Sequence, residues 1–405
     1  MLELGPFSQK IIEKTHKYSA NHYRRLPVVF VKGSGTRLWD AEGHEYIDML
    51  GTYSALNIGH CHPRILKVLR EQAGLLANVS NAVYTPQFAD FVERLAKFCF
   101  LDKVLAKNGG AEAVESAIKI ARKWGYKVKG VERGKAEIIV CDDNFHGRTT
   151  TVVGFSSTPQ YRDDFGPFAP AAFKSIPFGD AEALEKAITP NTVAFLVEPI
   201  QGEGGINVSP EDYLNKVSWI CRNHNVLFVL DEIQTGFCRT GSKFAFWHQC
   251  LSPDLLIVGK ALGGGFLPVS AVVGKEEVMD VLQPGDDGST FGGNPLACAV
   301  AVETLKVLEE EHLAEKALNL GGYFKAMLAD INSLIIKEVR GKGLLIGIEL
   351  VTEAEGGRIV CEKLLEKGIL CKETKDNVIR FAPPLTITKE EINEALEKIR
   401  LVLRP

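Results

Sequence analysis

The sequence predicts an α/β protein: a mostly parallel, helix-covered sheet in its middle section, with a smaller α+β unit drawn from the two chain ends. Three observations carry this prediction. The runs Ile138 to Cys141, Val193 to Val197, Val226 to Leu230, Leu255 to Val258 and Val269 to Val273 are nearly continuous in apolar residues, as strands covered on both faces must be. The stretches between them have helical spacing, for example apolar residues at 113, 114, 117, 118, 121 and 124. Short strand-like segments between glycine turns lie instead near the two ends. A chain of 405 residues is also about twice the usual single-domain length. The expected division is an N-terminal segment 1–50, a large domain 51–299 and a C-terminal domain 300–405, the small domain being built from the first and last of these.

The elements follow in order. A short helix is expected over 8–17, then strands at 28–31, 36–40 and 45–48, with turns at 32–35 and 41–44 forming an antiparallel meander. From about 62 to 299 helices alternate with the apolar strands. After Pro295 come helices over 296–308 and 313–331, strands near 335–336 and 344–348, a helix around 358–367, a strand at 378–381 and a last helix over 389–402.

Composition narrows the function. The chain is 45% apolar and 24% charged, and 47 basic against 51 acidic residues leave a net charge of −4 with no basic block. That balance argues against a nucleic-acid partner and for small molecules. Nine scattered cysteines, none in a C-x-x-C pair, read as reduced thiols of a cytoplasmic protein. No secretory or transit signal and no long apolar run appears, so a soluble protein without membrane partners is expected. His60 and His62, two positions apart in a Gly/Pro loop without a third ligand, make a poor metal site, and no metal is expected.

The chemistry gathers at strand ends, where ligands of such sheets bind. Lys260 follows the run Leu255 to Val258 and precedes Ala261-Leu262-Gly263-Gly264-Gly265. Desolvation there lowers a lysine from its ordinary pKa of about 10.4 and supplies a neutral amine for Schiff-base chemistry. A lysine snorkelling from a strand end is the ordinary alternative. Asp231 ends the neighbouring run and needs a cationic partner, such as a protonated pyridine nitrogen, unless it caps a following helix. Gly110 and Ala111 open a helix, and glycines at a helix N-terminus bind anions, although many such turns hold no ligand. Thr290, in Ser289-Thr290-Phe291-Gly292-Gly293-Asn294-Pro295, lies in a second such turn. Phe145 can lie against an aromatic cofactor or be plain core.

Taken together and in order, five segments resemble the fold-type I, class III pyridoxal-phosphate-dependent aminotransferases: Asn108 to Ala113, Phe145 to Arg148, Glu198 to Glu203, Asp231 to Gly236 and Gly288 to Pro295. The resemblance covers essentially the whole chain. It implies pyridoxal 5′-phosphate (PLP) as cofactor, Lys260 as its covalent anchor and proton carrier, and Asp231 on the pyridinium. It further implies Gln234 at the ring hydroxyl, Phe145 stacked on the ring, and the phosphate held by Gly110, Ala111 and Thr290 of a neighbouring subunit in a homodimer.

Asn21-His22-Tyr23, Thr52-Tyr53-Ser54 and Arg380-Phe381-Ala382-Pro383-Pro384 resemble the ornithine-specific branch of that family. Tyr53 and Tyr23 are implied to face the amino-acid end of ornithine. By the same likeness Arg148 takes the distal carboxylate in both half-reactions, and Arg380 takes the α-carboxylate of 2-oxoglutarate, with Glu203 neutralising Arg380 when ornithine is bound. Bidentate guanidinium pairing suits both acids. The implied reaction moves the δ-amino group of L-ornithine to 2-oxoglutarate, giving glutamate and glutamate 5-semialdehyde, which cyclises to pyrroline-5-carboxylate. An acetylornithine or broad ω-amino-acid aminotransferase is the near alternative, an aminomutase the more distant one. One departure stands out: Gly109 replaces the family's usual Thr or Ser, removing a hydroxyl from the phosphate loop and implying lower cofactor affinity.

Overall fold

The computed structural model describes residues 4–168 and 172–404. A seven-stranded sheet forms its centre, in the order Lys103–Lys107, Ser270–Gly274, Leu255–Val258, Leu227–Asp231, Thr192–Val197, Glu137–Cys141, Phe173–Ile176. Ser270–Gly274 runs antiparallel to both its neighbours, and every other pairing is parallel. Every residue of Thr192–Val197, Leu227–Asp231 and Leu255–Val258 is buried, which explains why these strands read as unbroken apolar runs. Side chains alternate between two cores. Leu227, Val229, Leu255 and Ile257 pack with the predicted face of helix Gly110–Trp124, including Ala113, Val114, Ala117, Ile118, Ala121 and Trp124. Phe228, Leu230, Leu256 and Val258 point the other way, into the larger core that also holds Ala297, Val300 and Leu305 of helix Pro295–Glu310.

The two edge strands, Lys103–Lys107 and Phe173–Ile176, are only partly buried and carry no continuous apolar run, so the apolar pattern does not reveal them. In the N-terminal meander one expectation is corrected. Strand Phe30–Ser34 continues through Lys32 and Gly33, where a turn was expected, and the chain reverses at Gly35, φ +56°. Gly33 serves close packing instead: a Cβ there would meet the His60 ring at 2.9 Å. A fourth strand, Ile369–Leu370, joins Glu45–Asp48 in parallel, with Ile369 opposite Ile47, so the two chain ends share one sheet.

The C-terminal sheet has the order Ile336–Lys342, Leu345–Leu350, Val378–Phe381, Lys372–Thr374, antiparallel throughout. Helices Leu313–Ala329, Gly357–Glu366 and Lys389–Leu403 accompany it. The expected division between residues 299 and 300 falls within helix Pro295–Glu310. Among the described residues no helix is long and apolar enough to cross a membrane.

Candidate active site

Strands Leu227–Asp231 and Leu255–Val258 run side by side, with Asp231 opposite Ile257, so Asp231 and Lys260 emerge at the same carboxyl edge of the sheet. Lys260 starts a short 3-10 turn, Lys260–Gly263, in the left-handed region at φ +45°. A lysine there is strained, and such strain persists where the surrounding structure over-determines it. Its amine has no hydrogen bond or ion pair among the described residues. Desolvation lowers its pKa to about 8, with Arg380 adding to the fall and Glu203, Asp231 and Glu198 opposing it. The side chain is thus not snorkelling to an ion pair.

Asp231 caps no helix, because the chain continues into turns. Its Oδ1 accepts from Ile233 N–H at 3.0 Å, and its Oδ2 accepts from His146 Nδ1 at 2.7 Å. His146 is a site residue that composition and spacing did not reveal. It is 2% exposed, and its other ring nitrogen has no partner among the described residues. Burial alone would lower the imidazole pKa, but the Asp231 hydrogen bond and charge, joined by Glu198, raise it above the ordinary value. Glu198 accepts from Phe145 N–H at 3.0 Å, and burial pushes its carboxyl up to about 7.

The loop before helix Gly110–Trp124 forms an anion cradle. Glu112 accepts from the N–H groups of Asn108 and Gly109 at 2.9 and 3.3 Å, and from Asn108 Nδ2 at 3.1 Å. This leaves Gly110 and Ala111 as the first-turn donors, which a helix cannot satisfy from within itself. Two glycines keep the cradle open. A Cβ on Gly110 would meet Ile233 at 2.9 Å, and one on Gly147, φ +119°, would meet the Ala111 Cβ at 2.7 Å.

Opposite the lysine lies an acid-base pair. Arg380, on strand Val378–Phe381, is fully buried and ion-paired through Nη1 with Glu203, while its Nε and Nη2 have no partner among the described residues. Burial would raise the Glu203 pKa, but Arg380 and Lys260 hold it down at about 2. Gln234 Nε2 donates to Glu203 at 3.3 Å, and its buried Oε1 is unpartnered. The Arg380 guanidinium lies 4.7 Å from the centre of the Tyr53 ring. Tyr53 sits in a left-handed turn, with φ of +53°, +46°, +58° and +71° at Gly51, Thr52, Tyr53 and Ser54. Burial lifts its hydroxyl pKa to about 12, with Glu203 and Tyr23 contributing and Arg380 opposing, so the phenol stays a neutral donor.

The remaining predicted residues sit at the margin. Phe145 is half-buried, and exposed Arg148 lies 5.6 Å from its ring and 4.0 Å from that of Tyr161, without a carboxylate partner among the described residues. Tyr161 was not foreseen. Tyr23 is exposed and packs edge-on against His22 at 4.7 Å. Thr290 is exposed and joined to none of the other site residues by a hydrogen bond within the chain, although its neighbour Ser289 accepts from Asn108 Nδ2 at 3.0 Å. His60 and His62 bond to Asp48 and Glu311 at 2.8 and 3.1 Å.

These groups fit PLP. Its phosphate matches the Gly110 and Ala111 donors, its ring hydroxyl the orphaned Gln234 Oε1, its pyridine nitrogen the Asp231 carboxylate, and its aldehyde carbon the unpaired Lys260 amine.

Comparison with known proteins identifies the family of the chain. The family model described as aminotransferase class-III matches residues 18–403. The ornithine aminotransferase of Bacillus subtilis (strain 168) is 53% identical over 397 residues, covering 98% of both chains. The ornithine aminotransferase of Toxoplasma gondii, crystallised with partial occupancy of PLP at its active site, superposes with a TM-score of 0.96 at 46% identity, covering 98% of this chain and 94% of that one. The acetylornithine aminotransferase of Elizabethkingia anophelis gives a TM-score of 0.89 at 43% identity, covering 98% of each chain. With the matched model spanning nearly its whole length, this chain belongs to the class III aminotransferases.

Proposed function

We propose that this protein is a PLP-dependent aminotransferase that moves the δ-amino group of L-ornithine to 2-oxoglutarate, giving glutamate and glutamate 5-semialdehyde, which cyclises to pyrroline-5-carboxylate. The observation that carries the choice of substrates is the buried Glu203–Arg380 pair under the Tyr53 ring. Arg380 retains two unclaimed donors, a fork for the α-carboxylate of 2-oxoglutarate. With Glu203 on it, the same arginine is neutralised, and ornithine then enters with its δ-amine rather than its amino-acid head toward Lys260. One pocket thereby takes two differently charged substrates in turn.

When bound, PLP supplies an electron sink conjugated to the carbon that loses its proton. Asp231, braced by His146, carries the negative charge that favours a protonated ring nitrogen. Gly110 and Ala111 would hold the phosphate, joined by Thr290 of a second subunit, with Gln234 serving the ring hydroxyl and Phe145 the ring. Lys260 would be the covalent holding point and, once the substrate amine has displaced its own, the base for the proton on ornithine Cδ, its burial favouring the neutral amine. Arg148, stacked on Tyr161, binds the distal carboxylate of each substrate, and the neutral Tyr53 hydroxyl, with Tyr23, binds the amino-acid head of ornithine.

The shared site makes the protein a homodimer. The exposed Thr290, next to the exposed Phe291, supports a second copy on this surface, as do the exposed Val83 and Tyr84 of the segment whose Asn81 Nδ2 donates to Gly292 O at 2.7 Å. The unpaired state of all nine cysteines supports a reducing compartment, the cytoplasm. The small domain is formed by residues 1–50 and 300–405 around the large domain 51–299. An absorbance titration of the holoenzyme with ornithine and then 2-oxoglutarate tests the reaction, expecting conversion of the cofactor to its amine form and back. A strong preference for N-acetylornithine over ornithine would overturn it in favour of the acetylornithine enzymes.

A further inference from the structure

The Glu203 side chain must leave Arg380 and return once per cycle, and the backbone beneath it is held unusually tightly. Glu203 lies in the five-residue connection 202–206 between the short antiparallel strands Ile200–Gln201 and Asn207–Val208. Three successive carbonyls of this connection are claimed by side chains. Thr374 Oγ1 donates to Glu203 O at 2.7 Å, and Asn207 Nδ2 donates to Gly204 O at 3.0 Å. Arg340 donates to Gly205 O twice, from Nε at 3.0 Å and Nη2 at 2.7 Å, while its Nη1 is ion-paired with Glu338 and Glu349. Gly205 has φ +118°, and a Cβ there would lie 3.3 Å from Arg340 Nη2, so the residue type is suited to this close approach.

The holders share a frame with the target of the switch. Arg340 stands on strand Ile336–Lys342, Thr374 on Lys372–Thr374 and Arg380 on Val378–Phe381, all in the C-terminal sheet. Thr374 is 3% exposed, so its hydroxyl is shielded from solvent, and losing the bond would cost the Glu203 carbonyl its side-chain partner. The Glu203 backbone and the Arg380 side chain are therefore referenced to one rigid sheet.

We propose that Arg340 and Thr374 are positioning residues that confine the Glu203 movement to side-chain rotation and so bias the site toward the δ-amine of ornithine; this rests on the ornithine reading above. With the backbone loosened, Glu203 covers Arg380 less often. The uncovered guanidinium then binds the α-carboxylate of ornithine and presents the wrong amine, while the oxo-acid half-reaction, which needs Arg380 free, is spared.

The test uses holoenzyme carrying Thr374→Val, which keeps the shape and removes the hydroxyl, or Arg340→Lys, which keeps the charge and loses the double contact. Thr374→Ser is the rescue. Each half-reaction is followed in single turnover by cofactor absorbance, and the product from ornithine is analysed for α- against δ-amine loss. The ornithine half-reaction should lose about tenfold in kcat/KM, the size expected of one lost hydrogen bond. The 2-oxoglutarate half-reaction should change less than about threefold, α-amine loss should rise, and Thr374→Ser should restore the wild-type pattern. Equal losses in both halves, or no change in either, would overturn the proposal. A wild-type enzyme inactive on ornithine would remove the substrate reading as well, whereas an active wild type with evenly weakened variants removes only the positioning role.

Discussion

His146 Nδ1 donates to Asp231 Oδ2 at 2.7 Å, in a pocket where the two residues are 2% and 4% exposed. The imidazole thus holds the carboxylate that we propose for the cofactor ring. His146→Gln should lower kcat ten- to a hundredfold and weaken cofactor retention, since a hydrogen bond to a charged group is worth about 1.5–3 kcal/mol. Steady-state kinetics and dialysis against buffer check this, and wild-type values in both would remove His146 from the site. The pH dependence has a definite sign. Because the folded pKa of His146 is raised, its stabilising contribution is complete below the ordinary imidazole value of about 6.5 and is lost as pH rises through the higher folded value.

Lys260 acts on stability in the opposite direction. Its folded pKa of about 8 lies below the ordinary lysine value, so the cofactor-free protein is penalised for its charged amine at pH below 8, and the penalty fades as pH rises toward the unfolded value. Lys260→Met should abolish activity and the absorbance of the lysine-linked cofactor. At pH 7 the cofactor-free variant should be more stable than wild type by about 2 kcal/mol, a figure discounted for partial exposure of the lysine. Urea midpoints of both cofactor-free proteins at pH 7 and pH 10 measure this. An advantage that does not shrink at the higher pH would contradict the charge-burial origin.

Four consecutive left-handed residues, Gly51 to Ser54, carry Tyr53, and the turn must be held against its own strain. Asp48 does so: its Oδ1 accepts from Leu50 and Gly51 N–H at 2.9 and 2.8 Å, and its Oδ2 bonds His60 Nε2 at 2.8 Å. Only Gly51 fits the first position, because a Cβ there would lie 2.2 Å from Ala382 O. Gly51→Ala should therefore destabilise by more than about 2 kcal/mol. Thr52→Gly, at an exposed position, should stabilise by about 1 kcal/mol by relieving the strain. Thermal melts of the two variants decide it, and a loss of stability in Thr52→Gly would count against strain at this turn.

How much of this was legible in the sequence depends on what carried the signal. Strands buried on both faces announced themselves, because burial on both sides forces apolar residues at every position, as in Leu255–Val258. The half-covered edge strands did not. Lys260 and Asp231 could be singled out because charged residues ending apolar runs are conspicuous. His146 was hidden because its meaning lies in a contact across 85 residues, and Arg340, Thr374 and Tyr161 act only through the tertiary fold. The left-handed turn at Tyr53 was equally silent, since Thr52 and Tyr53 are poor candidates for positive φ and only packing imposes it.

In the function proposed above, Tyr53 would separate substrates rather than support the chemistry common to them. Its ring lies beside Arg380 and its hydroxyl is neutral, so on that proposal it would offer the amino-acid head of ornithine a hydrogen bond that an isoleucine cannot make. Tyr53→Ile should reduce kcat/KM for ornithine about tenfold or more, the effect of one lost bond in a desolvated site. Turnover of ω-amines lacking an α-amino group, such as 4-aminobutyrate, should hold or rise. Ratios of kcat/KM for the two amines supply the readout, and a parallel fall in both would mean that Tyr53 merely supports the fold.

Gly109 lacks the hydroxyl that the resemblance leads one to expect at this position, and its surroundings allow one to be introduced. Its φ of −85° and ψ of 148° suit any residue, and a Cβ there would meet nothing within 4 Å. The position is also the N-cap of helix Gly110–Trp124, where serine exceeds glycine by a few tenths of a kcal/mol. Gly109→Ser should therefore leave the cofactor-free protein as stable as wild type or slightly more so. It should also tighten PLP binding about tenfold, because the new donor reaches a charged phosphate. Fluorescence titration of the cofactor-free proteins gives the two dissociation constants. Equal constants would mean that Gly110, Ala111 and Thr290 already satisfy the phosphate, and that the missing hydroxyl costs this enzyme nothing.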